Sequence, residues 1–272
     1  MNTYHAYPLD VMRSLSDHWR LVLSLAKRDL SARYRGSLFG FIWAFMTPVL
    51  MLIVYTFVFS VIFKARWGTG SDSKTEFALV LFIGLILFNF FAECLNQSPN
   101  LIINNANYVK KVVFPLEVLP WVNLTVSAVN AGISFSVWLV AYVVFFGLPS
   151  LTVLLAPIVI LPFLLFVMGL SWFVSAVGVF VRDVAQFVTI LVAVTMFMSP
   201  IFYPLSALPE EYRIFVSLNP LTLVVEQMRQ VLFFGQAINW FLYAVELAGA
   251  LLIAWLGFIW FQKTRKGFAD VI

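Results

Sequence analysis

Charge is scarce in this chain of 272 residues: Asp, Glu, Lys and Arg make up 11%, against 62% hydrophobic residues. A soluble globular domain carries roughly 25% charged and about 45–50% apolar residues. The shortage excludes an ordinary soluble fold and points to one integral membrane domain, with no room for a second soluble one. Cysteine is nearly missing too. Cys94 stands alone, so no intrachain disulfide can form. The only histidines, His5 and His18, both precede the first long apolar run, which argues against a histidine-based metal site. The acidic residues are scattered and form no catalytic cluster of the kind a membrane enzyme needs. The phosphate-cradling pattern GxxxxGKS/T is absent, so the chain does not bind ATP in the P-loop manner. No cofactor is expected on it. The first apolar run begins only at Leu38, behind a charged lead, and is too long for a signal h-region; no cleavable signal peptide is expected.

What is present is a series of long apolar stretches. Residues 38–63, 76–93, 116–146, 151–181, 184–201 and 238–261 read as six membrane spans, each near the length that crosses about 30 Å of hydrocarbon. The expected fold is all-α. Ahead of the spans, residues 9–31 predict an amphipathic helix: Met12, Leu15, Trp19, Val22, Ala26 and Leu30 recur at steps of three and four. Its basic polar side and its Trp suit a helix lying in the membrane interface, with docking on a soluble partner as the alternative. Between spans five and six, residues 199–235 contain Pro200, Pro204, Pro209 and Pro220 with Glu210, Glu211 and Arg213. The stretch is too broken for a span and too apolar for a solvated loop. Short or re-entrant helices buried in protein are expected, because broken backbone must find partners away from lipid.

Six spans place both termini on one side. Lys64, Arg66, Lys74, Arg213 and Arg229 then fall on the other side, and the remaining twelve of the 17 basic residues on the first. The positive-inside rule makes the richer side cytoplasmic. The net charge of +4 is accounted for by these lipid- and cytosol-facing residues, not by nucleic-acid binding. The cytoplasmic side includes residues 96–115, NQSPNLIINNANYVKKVVFP, a polar island between two oily spans. Arg182 and Asp183 form a very short polar turn there.

Few residues within the spans carry chemistry. Asn123, Ser127, Asn130 and Ser134 share one face of span three. Either they glue helices together, as small and hydrogen-bonding residues do in membranes, or they line a wet conduit. Trp43, Tyr55, Trp138 and Trp172 lie inside spans; flat rings with a polar handle suit a sugar face, and equally a packing or belt position. Phe59 belongs with these conduit candidates. Glu246 lies a third of the way into span six, where a carboxylate costs about 2.5–3.5 kcal/mol and must face protein or water.

Four segments, RYRGSLFGFIWAFMTPVLMLIVYTFVFSVIF (33–63), NANYVKKVVFPLEVLP (105–120), VFVRDVAQFV (179–188) and SPIFYPLSALPEEYRIFVSLNPLT (199–222), together resemble the membrane subunit of a type-2 ABC exporter. The resemblance is to the group that exports lipid-linked polysaccharides such as O-antigen and capsule. It implies a homodimer in the bacterial inner membrane, paired with two copies of a separate subunit that binds ATP and Mg. It implies that residues 96–111 carry a coupling helix seated on that subunit, with Asn100, Asn104, Asn105, Asn107, Tyr108, Lys110 and Lys111 as docking residues. Arg182 and Asp183 are a second contact, or else a structural turn closed by an ion pair. Residues 199–235 would gate the exit, with Ser199, Pro200, Phe202, Tyr203, Pro204, Asn219 and Pro220 at the gate. Exporters of teichoic acid, drugs or lipids look similar in these segments. A stand-alone ion-coupled carrier is the alternative of another class.

Overall fold

The computed structural model describes residues 7–35, 39–58, 74–110 and 114–272. Phe59, Lys64, Arg66 and Lys111, which the sequence places in the conduit, the outer loop and the coupling segment, lie outside the described residues. All regular structure among the described residues is helical. Twelve α-helices are described: α1 (Pro8–Ser16), α2 (Trp19–Tyr34), α3 (Ile42–Tyr55), α4 (Lys74–Gln97), α5 (Ala106–Val109), α6 (Val118–Phe146), α7 (Ala156–Phe180), α8 (Val184–Phe197), α9 (Glu210–Ser217), α10 (Pro220–Leu232), α11 (Trp240–Thr264) and α12 (Phe268–Val271). Four of them, α4, α6, α7 and α11, are long and apolar enough to cross a membrane. Two shorter apolar helices cover 42–58 and 184–197.

The single amphipathic helix expected over 9–31 is two helices. The chain breaks at Asp17 and His18, where side chains compete for the backbone groups that would continue the turn. Ser16 Oγ donates to the Arg13 carbonyl at 3.3 Å, and the His18 ring lies 3.3 Å from the Ser14 carbonyl. Residues of this type favour helix ends for that reason. The expected apolar stripe also divides. Val22 and Ala26 pack into the bundle, while Met12 and Trp19 are exposed beside Leu9 and Leu23.

α4 is the axis of the bundle. From Glu76 to Phe88 every residue is buried, so its apolar character on all faces matches an environment of protein on all faces. α6, α7, α8 and α10 surround it. α7 and α11 form the closest pair. They approach because Gly169 and Gly257 face each other: a Cβ on Gly257 would lie 2.1 Å from the Gly169 carbonyl oxygen, and one on Gly169 would lie 2.5 Å from that of Ile253. Helices in lipid lack a hydrophobic drive toward one another, so such contact surfaces depend on small residues and tight van der Waals fit. Among the apolar helices, α3 and α8 are the least enclosed. Ile42, Leu50 and Ile53 on α3, and Phe187, Ile190 and Phe197 on α8, are exposed.

The bundle has two distinct ends. At one, α4 and α11 finish, α6 starts, and α1, α2 and α12 pack. Trp121 of α6 donates its indole N–H to Ser14 Oγ at 3.0 Å, which fastens α1 to that end. Arg265, just past α11, is ion-paired with Glu117 and donates to the Phe114 carbonyl at 2.8 Å, which closes the start of α6 against the end of α11. At the other end lie α9 and the C-terminal half of α10. Here Thr152 Oγ1 donates to the Val231 carbonyl at 2.6 Å.

Candidate functional site

The polar island becomes a folded ledge. Two 3-10 turns, Ser98–Asn100 and Ile103–Asn105, lead from α4 into the single turn α5. Its inner side is locked down. Ser98 Oγ donates to the Cys94 carbonyl at 2.7 Å, and Asn105 Nδ2 donates to the Leu101 carbonyl at 2.9 Å. Pro99 sits directly on α7, where Gly178 leaves room; a Cβ at Gly178 would lie 2.1 Å from the Pro99 carbonyl oxygen. Tyr108 stacks on Phe114 with 4.3 Å between ring centroids, and its hydroxyl accepts from Arg28 Nη1 of α2 at 2.5 Å. A hydrogen bond from Arg28 to Asp29 raises the arginine pKa further, so its guanidinium stays charged at any physiological pH. The outer side of the ledge presents Asn100, Asn104, Asn107 and Lys110 to solvent. The Ser98–Asn100 turn packs against both α7 and α8, so the exposed turn at Arg182 and Asp183 that joins them lies beside the ledge. No ion pair joins Arg182 to Asp183 among the described residues; the Asp183 carbonyl instead accepts the Gln186 and Phe187 amides of α8. The ledge can hydrogen-bond and pair charge with a soluble surface.

The residues proposed for a conduit do not gather around a passage within this chain. Three of the four on the α6 face turn toward α4. Asn123 Nδ2 donates to the Cys94 carbonyl at 2.9 Å, Ser127 is fully buried beside Cys94, and Asn130 Nδ2 donates to both Glu93 oxygens at 2.9 and 3.1 Å. Ser134 Oγ, half-buried, returns to the Asn130 carbonyl at 3.0 Å. Trp138 and Trp172 are core residues with no exposed surface. Their indole N–H groups go to the carbonyls of Leu79 (3.0 Å) and Glu117 (3.2 Å), the packing position of the two alternatives and not the sugar-facing one. A large ring that is buried must spend its N–H on protein, and both do. Tyr55 is half-buried against the core from α3.

The expected gate residues do come together. Asn219 caps α10, accepting the Leu221 amide at 3.0 Å, and donates to Ser199 Oγ at 2.8 Å. Pro220 occupies the first turn of α10, where its missing N–H costs nothing. Phe202 packs on the core, Tyr203 Oη donates to the Phe197 carbonyl at 3.2 Å, and Pro204 precedes a short 3-10 turn. Beneath them lies Arg229 of α10, 1% exposed. It donates to the carbonyls of Pro200 (2.6 Å), Ile201 (3.0 Å) and Val80 (3.1 Å) and pairs with Glu226 at 2.8 Å. Gly84 of α4 leaves the space for it, with Nη2 3.0 Å from where a Cβ would stand. Beyond α10, Gln227 Nε2 holds Glu246 of α11 at 2.7 Å, at a groove of about 180 Å³ between α7, α10 and α11.

The helical bundle thus carries a ledge of exposed amides at one end and a proline-jointed, arginine-tied segment at the other. The sequence profile of the ABC-2 type transporter family matches residues 20–233. The chain belongs to that family. It is similar to an O-antigen export system permease protein of Myxococcus xanthus, 27% identical over 264 residues, covering 96% of this chain and 99% of the relative. An O-antigen export system permease protein of Klebsiella pneumoniae is 26% identical over 254 residues, covering 93% and 95%. The polysialic acid transport protein of Escherichia coli is 24% identical over 217 residues, covering 79% and 81%.

Several residues that organise this ABC-2 membrane subunit were not singled out by sequence reasoning. Glu93, at the end of a span, looked unremarkable for a carboxylate near the surface. Yet it receives Arg33 of α2 at 2.5 Å as well as Asn130. Arg229 counted only as an outer charge. A signal was available in PLTLVVEQMRQVL, where one arginine stands between apolar residues on a helix with Glu226 one turn before it. Gly178 gave no signal at all, since its role is to leave space for a residue far away in sequence.

Proposed function

We propose that this chain is the permease of an ATP-driven exporter that moves a lipid-linked polysaccharide, O-antigen or capsule, from cytoplasm to periplasm. It works in the bacterial inner membrane as a homodimer with two copies of a separate ATP-hydrolysing subunit. The observation that carries this reading is the similarity to O-antigen export permeases along 96% of the chain. The ledge at 98–110 supports a seat for the ATPase: it is braced within and polar without. The homodimer rests on the same family likeness; α3 and α8, whose apolar faces are exposed, are the surfaces a second copy would meet through close van der Waals fit. In this reading α3 and α8 complete six crossings. At 1.5 Å per residue, the 17 residues of 42–58 reach about 25 Å, near the thickness of hydrocarbon that a thinned bilayer presents. Asn219, Ser199 and the Arg229-tied loop form the outer gate, and Lys110 and Lys111 meet acidic groups of the ATPase or lipid phosphates.

Deleting the gene is expected to leave lipid-linked polymer inside the cell and none at the surface, with both restored by the gene in trans. Normal surface polymer in the deletion strain would overturn the assignment. Topology gives an independent check. With Cys94 replaced by serine, single cysteines at Asn104 and Lys263 should react only with a reagent admitted to the cytoplasm. One at Tyr212 should react with an impermeant reagent from outside, and the reverse pattern would turn the protein around.

A further inference from the structure

α2 touches the working parts at two points along its length. Its 16 residues make a rod of about 24 Å. Arg28 reaches Tyr108 on the ledge, with Nη1 2.5 Å from the hydroxyl and the guanidinium carbon 5.9 Å from the ring centroid. Arg33, nearly a turn and a half further on, reaches Glu93 on α4 at 2.5 Å. Glu93 is held in turn by Asn130 of α6 through both carboxylate oxygens and by Gln97 at 3.5 Å. Between the two points runs a crevice of about 60 Å³, with Arg28, Asp29, Arg33, Gln97, Asn105 and Asn123 on its polar side and leucines and valines completing the wall. α2, α4, α6 and the ledge therefore meet through a set of polar groups beside the hydrocarbon packing of Val22, Leu25 and Ala26.

Static stability is a poor reason for this arrangement. The Arg33 and Glu93 side chains are 36% and 21% exposed, and pairs so exposed contribute about 0–1 kcal/mol. Register is a better one. The ledge consists of two 3-10 turns and one turn of α-helix; its first turn is seated on α7 and α8, and its far part is held by Tyr108 on Phe114 and on Arg28. Pushed by a partner, it would pivot about these attachments. A rod fastened to it at Tyr108 and to the bundle at Glu93 converts that pivot into a displacement of α4 and α6.

We propose that Arg33, Glu93 and Asn130 are positioning residues which, with Arg28 and Tyr108, make α2 a strut carrying displacement of the ledge into α4 and α6. The strut rests on the reading of the ledge as the seat of an ATPase. It gives the polar face of α6 a mechanical task in place of a conduit.

The test uses the assembled permease and ATPase in proteoliposomes, with ATP hydrolysis and export of lipid-linked polymer measured in one sample. Glu93→Gln keeps shape and removes charge; Arg33→Gln removes the opposite charge and shortens the side chain. Each is expected to retain hydrolysis while polymer exported per ATP falls roughly fivefold or more, the lower end of a typical coupling free energy. The double exchange Arg33→Glu with Glu93→Arg should restore the ratio, which a general loss of stability would not allow. Single variants with the wild-type ratio, or a double exchange no better than the singles, would overturn the strut. Should the wild-type permease itself bind no ATPase or export no polymer, the functional reading fails first, and that outcome is visible before any variant is made.

Discussion

Arg229→Met is expected to destabilise the protein by about 3–5 kcal/mol, the range for removing one partner from a buried charged network. Methionine fills a similar volume, so a cavity is not the cause. The loss arises at the acceptors. The carbonyls of Pro200 and Ile201 have Arg229 as a donor at 2.6 and 3.0 Å, in a loop whose prolines and irregular backbone provide few alternatives. A buried acceptor left without a donor costs about 1–3 kcal/mol. Glu226 loses its partner as well. Arg229→Lys should recover only part of the loss, because one ammonium cannot reproduce a planar fork aimed at α4, the loop and Glu226 together. Thermal unfolding of the detergent-purified protein, together with its yield in membranes, measures this. A methionine variant that melts with the wild type would show that the loop is held by something else.

Gly178→Val is expected to act at the opposite end and to strike function as well as stability. The Cβ of any larger residue would lie 2.1 Å from the Pro99 carbonyl oxygen, and 2.8 Å from its carbonyl carbon and Cα. Both partners are backbone in packed elements, so neither can step aside as a flexible side chain would. The ledge must lift off α7. Overpacking of this kind costs about 1–3 kcal/mol, and here it also displaces the platform offered to the partner. Export should fall while α7 and α11, which meet further along at Gly169 and Gly257, stay together. Gly178→Ala should show the same change in smaller degree. A valine variant that exports at the wild-type rate and melts normally would contradict the contact described.

Some of this was legible in the residues. α4, α6, α7 and α11 announce themselves as long apolar runs, because a bilayer imposes its rule locally: each span must satisfy its own backbone and shed charge. The prolines of 199–235 likewise predicted short helices. Pro209 does precede α9 and Pro220 opens α10, positions where a ring that fixes φ and lacks an N–H is tolerated. The break at Asp17 and His18 was missed because a steady apolar period hides a local contest between side chains and backbone. The choice between glue and conduit for the polar face of α6 stayed open for a related reason. α6 has apolar side chains on most faces, so its pattern does not say which face meets α4, and the face bearing Asn123 and Asn130 turned out to be the one that does.

Class, helical character and the long apolar spans follow from composition and local pattern, and these the chain determines by itself. Rotation and partnership were decided only by the fold. α7 and α11 are apolar nearly all round, so no periodicity in them could have placed Gly178 under Pro99 or Gly169 against Gly257. Arg229 binds a carbonyl 149 residues away and Asn130 a carboxylate 37 residues away. Hydropathy adds up along a sequence, whereas a buried charge finds its partner across helices. For that reason Glu93 and Arg229, ordinary as letters, became the points on which the two ends of the molecule depend.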